Sequence, residues 1–202
     1  MERIIAKELL SIGAVFLRPE EPFTWASGIK SPIYCDNRLT LSAPQVRQKI
    51  EVGLATLVMK HYPECQMLMG TSTAGIAHAA ITASILGLPM GYVRCEAKGH
   101  GRGNRIEGKM EKGTKVVVIE DLISTGGSCI DVVEALREEG AEVLGIASIF
   151  TYGIKKGLIR IADAGTVNYS LSNLDTLVEV AAEEGYIAPE WKNKIIEFRD
   201  SL

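Results

Sequence analysis

The stretch that decides the fold is VVVIEDLISTGGSCIDVVEALREEGAEVLGIASIF, residues 116–150. Val116 to Ile119 are apolar at every position and predict a strand, a polar loop follows, and CIDVVEALREEG predicts a helix that Gly140 ends. The run VLGIASIF predicts the next strand. Strands that are apolar throughout must be covered on both faces, so this stretch predicts a parallel sheet flanked by helices. The loop and helix, roughly 25 residues, suit one right-handed crossover.

The same order of strand, loop and helix occurs upstream. QMLMG (66–70) and MGYVR (90–94) predict two more strands, separated by TSTAG and the helical stretch IAHAAITASILG. A capping box predicts that Ser42 begins an earlier helix, with Gln45 three residues later, and Ser172 is expected to cap a helix near the end. Together these patterns predict a doubly wound α/β core with N- and C-terminal helices packed outside it.

Composition limits the class of protein. The chain has 202 residues, 47% hydrophobic and 23% charged, with a formal net charge of −3. This composition is typical of one soluble domain and gives no global electrostatic reason to expect a nucleic-acid partner. The four cysteines stand apart without a CxxC pair, and no apolar run approaches the roughly 20 residues that span a bilayer. A cytoplasmic protein without a membrane partner is therefore expected.

The strand end at Ile119 is the predicted functional site, because ligands of such sheets bind beyond the carboxyl ends of the strands. Glycines and small hydroxyls in the loop let backbone N–H groups approach an anion, and the following helix directs its positive end to the same place. The loop lacks the lysine of a P-loop and the GxGxxG of a dinucleotide fold. The candidate phosphate-binding residues are Ser124, Thr125, Gly126, Gly127 and Ser128.

Two acidic residues, Glu120 and Asp121, precede this loop. Carboxylates would repel a bare phosphate, but they are well suited to accept hydrogen bonds from the vicinal hydroxyls of a ribose whose 5′-phosphate lies in the loop. The alternative is a helix-capping turn with acidic residues that face water. That alternative does not explain why acids, hydroxyls and glycines coincide at one strand end.

A basic, glycine-rich segment, RCEAKGHGRGNRIEGK, spans residues 94–109. Its composition favours a mobile loop, and beside a phosphate site such a loop would close over a departing diphosphate. A solvated basic hairpin tip is the alternative. A nucleic-acid-binding loop is disfavoured, because no aromatic side chain is interleaved for base stacking.

The sequence VVVIEDLISTGGS (116–128) resembles the signature of type I phosphoribosyltransferases. The resemblance implies that Glu120 and Asp121 hold the ribose hydroxyls of phosphoribosyl diphosphate (PRPP), that Ser124 to Ser128 hold its 5′-phosphate, and that Leu122 and Ile123 belong to the same site. It also implies Mg²⁺ as the cofactor, and no residue is assigned as its protein ligand. GTSTAG (70–75) is similar to the loop that receives the diphosphate in that family.

The segment SGIKSPIYCDNR (27–38) is similar to a stretch that marks the orotate phosphoribosyltransferases, and the resemblance covers essentially the whole chain. It most resembles the short branch of Gram-positive bacteria. This implies transfer to orotate in pyrimidine (UMP) biosynthesis, with orotate contacts from Ser124, Tyr34 and Lys30. It further implies a homodimer with shared sites, in which a lid carries Arg94 and the catalytic Lys98 and His100.

The resemblance also implies a single domain over residues 1–202, with a core at about 43–165 and a small hood from about 1–42 and 166–202. The chain departs from one branch of the family at Ala26, Ala74, Cys95 and Tyr152. Two rival functions remain: transfer to another base (adenine, xanthine or uracil), and a non-catalytic PRPP-sensing regulator. The regulator would need a nucleic-acid-binding surface or an added domain.

Overall fold

The computed structural model describes residues 1–24, 30–94 and 105–202. The helices are α1 (Glu2–Ser11), α2 (Pro44–His61), α3 (Ala74–Leu86), α4 (Gly127–Glu138), α5 (Lys155–Asp163), α6 (Leu174–Glu183) and α7 (Trp191–Asp200), with a 3₁₀ helix at Asn37–Ser42. The strands are β1 (Val15–Leu17), β2 (Phe23–Thr24), β3 (Lys30–Ser31), β4 (Ile33–Cys35), β5 (Met67–Thr71), β6 (Met90–Val93), β7 (Ile106–Glu107), β8 (Lys115–Ile123), β9 (Glu142–Thr151) and β10 (Asn168–Asn173).

Six of these strands form the central sheet, in the order β10-β9-β8-β5-β6-β7. Neighbouring strands are parallel except at the edge pair β6–β7, which is antiparallel. This is the predicted α/β architecture with a parallel sheet. Outside the sheet, β1 pairs with β4 and β2 pairs with β3 in two small antiparallel sheets.

Both faces of the sheet are covered, as the apolar strands predict. Along β8, Val117 and Ile119 pack into one buried cluster, while Val116 and Val118 pack into another. The first cluster receives side chains from α1, α2 and α6, and the second receives them from α4 and α5. β8 is thus an interior strand that is buried on both sides.

β8 is longer than the sequence pattern predicts. The strand was expected to end at Ile119, but it runs to Ile123, because β9 continues alongside it as far as Thr151. The pairing includes Glu120 opposite Ser148 and Ile123 opposite Thr151. The acidic pair therefore lies within a paired strand, and pairing with a neighbour has overridden the local change to polar residues.

The predicted helix starts at Ser42 and Ser172 are wrong. Ser42 ends the 3₁₀ helix, and α2 follows with Ala43 as its uncapped N-terminal neighbour. Ser172 lies in β10 and donates to the carbonyl of Glu2, while Asn173 caps α6 by accepting from the Thr176 N–H at 2.9 Å. In both cases the next residue in the chain, Ala43 or Asn173, occupies the N-cap position of the helix.

The C-terminal part contributes to the sheet as well as to the helices outside it. The sequence placed residues 166–202 in the hood, whereas β10 (Asn168–Asn173) is the edge strand beside β9. The sheet therefore extends beyond residue 165. In the described part of the chain, none of the helices is long and apolar enough to cross a membrane.

A buried polar network joins α2 to α3. His78 is fully buried, and its Nδ1 lies 2.6 Å from Oε1 of Glu51. Thr82 donates to the other carboxylate oxygen of Glu51 at 2.8 Å. These hydrogen bonds fix the position of α3 relative to α2.

Candidate active site

A cleft of about 370 Å³ opens at the carboxyl edge of the sheet, where β5 and β8 end. Three segments of the chain (35–38, 72–74 and 120–128) converge on it, although they are far apart in sequence. The described residues that line it are Cys35, Asp36, Arg38, Ser72, Thr73, Ala74, Glu120, Asp121, Leu122 and Ser128. The cleft is at the position where parallel α/β sheets bind ligands.

Glu120 is the buried acid of the cleft, with only 6% of its surface exposed. Its Oε1 accepts hydrogen bonds from Oγ1 of Thr71 at 2.7 Å and from the N–H of Asp121 at 3.0 Å. Burial, followed by the charge of Asp121, raises the pKa of Glu120 to about 8. The free cleft therefore favours a protonated Glu120, and a ligand that brings a cation would favour its carboxylate.

Asp121 is held from the side by the segment after β4. Its carbonyl accepts a 2.6 Å hydrogen bond from Nδ2 of Asn37, which is fully buried. Cys35 in turn donates through its thiol to Oδ1 of Asn37 at 3.2 Å. This clamp joins the hood to the end of β8 and sets the position of Asp121 relative to Asp36 and Arg38.

The hydroxyl and glycine loop begins directly beyond β8, and α4 starts within it. Gly126 is the N-cap of α4 with φ of +74°, a left-handed conformation that favours glycine. The loop rests on α5: a Cβ at Gly157 would lie 2.5 Å from the carbonyl of Ser124, and Arg160 donates to the carbonyl of Thr125 at 3.3 Å. The helix N-terminus and the hydroxyls of this loop form a concave site suited to an anion.

The glycines of GTSTAG have a packing role. A Cβ at Gly75 would lie 2.4 Å from the carbonyl of Ile119, and one at Gly70 would lie 2.9 Å from the backbone of Gly75. Both glycines let α3 approach β5 and β8 closely. As a result, Ser72, Thr73 and Ala74 stand beside the acidic pair at the end of the sheet.

The predicted PRPP-binding residues lie at one end of β8. Glu120, Asp121, Leu122 and Ser128 line the cleft, whereas the side chain of Ile123 is buried among the residues beneath α4. Ser124, Thr125, Gly126 and Gly127 form the connecting loop and the start of α4. Their roles toward a ligand stay predictions.

The other predicted residues lie around the cleft rather than among its described lining residues. Tyr34 is 38% exposed and packs against Phe23 with ring centroids 5.8 Å apart, and Lys30 is exposed on β3. Arg94 follows β6 at the same edge of the sheet, 3.8 Å from the carboxylate of Glu107. Lys98, His100 and Cys95 lie outside the described residues.

Sequence reasoning missed Asp36, Asn37 and Arg38 as parts of the site. The segment that contains them indicated the acceptor base, but no role was assigned to these three side chains. The signal available in the sequence was a polar run between an apolar strand and a helix. Only the fold shows that this run lies against the end of β8.

Comparison with known proteins identifies the family. The model of the phosphoribosyl transferase domain matches residues 43–174. Orotate phosphoribosyltransferases of Bacillus cereus and Bacillus cytotoxicus are each 60% identical over 199 residues, which cover 98% of this chain and 95% of the relative. The chain belongs to the orotate phosphoribosyltransferase family.

Solved structures of the family have the same fold. Orotate phosphoribosyltransferase from Aeropyrum pernix matches with a TM-score of 0.79 and 30% identity, over 91% of this chain and 99% of that one. UMP synthase from Leishmania donovani matches with a TM-score of 0.85 and 26% identity, over 99% of this chain and 42% of that longer chain. These matches agree with the parallel-sheet core of an orotate phosphoribosyltransferase.

Proposed function

We propose that the protein transfers the 5-phosphoribosyl group of PRPP to orotate, giving orotidine 5′-monophosphate and diphosphate in pyrimidine biosynthesis. The observation that carries the proposal is the meeting of an acidic pair with a hydroxyl and glycine loop at one strand end, in a chain 60% identical to orotate phosphoribosyltransferases. The reaction class is pentosyl transfer, and the substrates are small molecules.

The cleft offers separate places for the parts of the donor. Glu120 and Asp121 would accept hydrogen bonds from the ribose hydroxyls, and the loop Ser124–Ser128 would bind the 5′-phosphate at the N-terminus of α4. Leu122 and Ile123 join these two groups within β8, which fixes their spacing. A ribose oriented in this way directs its anomeric carbon toward Ser72, Thr73 and Ala74.

Breaking the bond between the anomeric carbon and diphosphate leaves positive charge on the sugar and negative charge on the leaving group. The acidic pair lies on the sugar side, and the basic segment that begins at Arg94 supplies charge for the diphosphate. Lys98 and His100 are the proposed catalytic residues of that segment. Orotate has an acidic ring nitrogen, so the chain needs to position the reactants more than to provide a strong base.

The described residues of the cleft are suited to Mg²⁺ that binds together with PRPP. Among the described residues, no three His, Cys, Asp or Glu side chains are grouped to hold a metal by themselves. Glu120 and Asp121 nonetheless supply hard oxygen ligands, and Mg²⁺ is commonly held by one or two carboxylates plus substrate phosphates. When bound, the ion would neutralise charge on the diphosphate.

The base would lie between the phosphate loop and the hood. Ser124 begins the loop, and Tyr34 is on β4, directly before the cleft residue Cys35. Lys30 is on the neighbouring hairpin formed by β2 and β3. We assign Ser124, Tyr34 and Lys30 to the orotate contacts on this placement and on the family resemblance.

The active unit is proposed to be a cytoplasmic homodimer that acts on PRPP and orotate without a nucleic-acid or membrane partner. Each lid, with Arg94, Lys98 and His100, would close the site of the neighbouring subunit. Helix α3 supports a protein partner, because its sequence AGIAHAAITASIL has no Asp, Glu, Lys or Arg while Ile85 stays 48% exposed.

An assay of orotate consumption with PRPP and Mg²⁺ tests the proposed function. We expect turnover only when all three are present, with diphosphate as the second product. Adenine, xanthine and uracil are the matched alternatives, and turnover of one of these without orotate would reassign the base. PRPP binding without turnover of any base would instead favour the regulator.

A further inference from the structure

The cleft has an unusual charge balance for a site that must receive diphosphate. Its described lining residues include three acids, Asp36, Glu120 and Asp121, and one cation, Arg38. PRPP carries several negative charges, and its diphosphate is the most concentrated of them. Mg²⁺ offsets part of the repulsion, and a guanidinium in the cleft would offset more of it.

Arg38 is placed for this task by the clamp at the end of β8. It is one residue beyond Asn37, whose side chain is hydrogen-bonded to the Asp121 carbonyl. Arg38 lines the same cleft as Glu120 and Asp121. Its side chain is 63% exposed, so a ligand that approaches from solution can reach it.

The present partner of Arg38 is a bidentate carboxylate. Nε of Arg38 donates to Oδ1 of Asp36 at 2.6 Å, and Nη2 donates to Oδ2 at 2.9 Å. Two oxygens of a phosphoryl group present the same spacing to a guanidinium fork. Arg38 is the exposed partner of this ion pair and Asp36 is largely covered, so a more highly charged ligand that enters the cleft can compete with the carboxylate for the guanidinium.

We infer that Arg38 is a diphosphate-binding residue, which exchanges Asp36 for the diphosphate of PRPP when the donor enters. The inference rests on the proposed function and adds a residue to it. Ser72, Thr73 and Ala74 lie in the same cleft, at the proposed anomeric end of the donor. In the free protein, Asp36 holds Arg38 in place and competes with the ligand.

The exchange predicts opposite effects for the two partners of one ion pair. Isothermal titration with diphosphate and Mg²⁺ should show at least about tenfold weaker binding for Arg38→Ala, because a charge-assisted pair of hydrogen bonds is lost. Asp36→Asn should bind diphosphate more tightly than the wild type. The asparagine keeps the oxygen that accepts from the Arg38 N–H at 3.2 Å, so the 3₁₀ helix retains its cap.

A matched ion pair on another surface provides the control. Arg3 pairs with Glu183, and both side chains are about half exposed. Arg3→Ala and Glu183→Gln should leave diphosphate binding unchanged. Arg38→Lys, which keeps the charge but loses the fork, should be intermediate, and it gives a second measurement if Arg38→Ala folds poorly.

Titration with orotate separates the diphosphate from the other anion of the reaction. Binding of orotate that falls in Arg38→Ala while diphosphate binding is unchanged would overturn the assignment. The inference would also be overturned if Arg38→Ala and Asp36→Asn both weaken diphosphate binding, since the pair would then be structural. The orotate assay of the wild type tests the proposed function independently, because the titrations measure binding only and involve no reaction.

Discussion

Burial and the neighbouring Asp121 raise the pKa of Glu120 from an ordinary 4.5 to about 8. Between these two values the folded protein retains a proton that the unfolded chain has lost. The contribution of Glu120 to stability is therefore complete below the ordinary pKa and is lost as the pH rises through about 8.

Glu120→Gln should remove this pH dependence. We expect the free energy of unfolding of the wild type to fall relative to the variant as the pH rises from about 5 to about 8, by at most about 1.4 kcal/mol per pH unit. Urea unfolding of both proteins across this range measures the difference. Parallel curves would show that Glu120 ionises at an ordinary pKa.

Asp121→Asn tests the role of the acidic pair toward the donor. Loss of a charged acceptor for a ribose hydroxyl should weaken PRPP binding by roughly 1.5–3 kcal/mol. Asp163→Asn, an exposed acid at the end of α5, is the control and should have no effect. Unchanged PRPP affinity in a folded Asp121→Asn protein would remove the ribose contact from the proposal.

At the scale of elements, α5 supports the phosphate loop from below. Gly157→Ala would place a methyl group 2.5 Å from the carbonyl of Ser124, so the loop or the helix must move. We expect weaker PRPP binding, and also weaker orotate binding because Ser124 is a proposed orotate contact, both measured by titration. Leu158→Ala is the control, because Leu158 is on the same helix and is 52% exposed. Equal effects of both variants would mean that α5 acts only through stability.

The sequence predicts the strands and helices that have a clear apolar pattern. The crossover from Val116 to Phe150 and the helical stretch IAHAAITASILG follow from local patterns, and the structure confirms them. The end of β8 could not be predicted, because pairing with β9 retains Glu120 to Ile123 in the strand against their local polarity. β10 was missed because Ser172 was expected to cap a helix, whereas it lies in the strand and Asn173 caps α6.

The sequence predicts the site residues that are consecutive in the chain. It does not predict those that reach the cleft from a distant segment. The acidic pair and the loop are consecutive, so their chemistry could be predicted from residues 120–128 alone. Asp36 and Arg38 reach the cleft only because Asn37 bonds to the carbonyl of Asp121 from 84 positions away. No local pattern indicates a contact of that kind.

At the scale of the whole molecule, mixed dimers test the proposed sharing of sites. Lys98→Ala and Asp121→Asn chains should each be nearly inactive alone. When they are mixed, one site of each heterodimer would combine an intact lid with an intact cleft, so activity should recover to about a quarter of wild type. Persistent inactivity after demonstrated subunit exchange would mean that each chain closes its own site.

The double pairing of β8 sets the order in which the molecule opens. Backbone amides near Val118 are bonded between two neighbouring strands and buried on both faces, whereas the small sheets β1–β4 and β2–β3 have two or three residues per strand. Local opening starts where few buried contacts oppose it, so the two small sheets and the Asn37 segment that follows them can detach while the central sheet persists. In such a state Glu120 would keep its hydrogen bond to Thr71, but Asp121 would lose Asn37. Hydrogen exchange would then show two protection levels within the cleft. Amides at the end of β8 would exchange slowly, and amides of the segment around Asn37 would exchange faster.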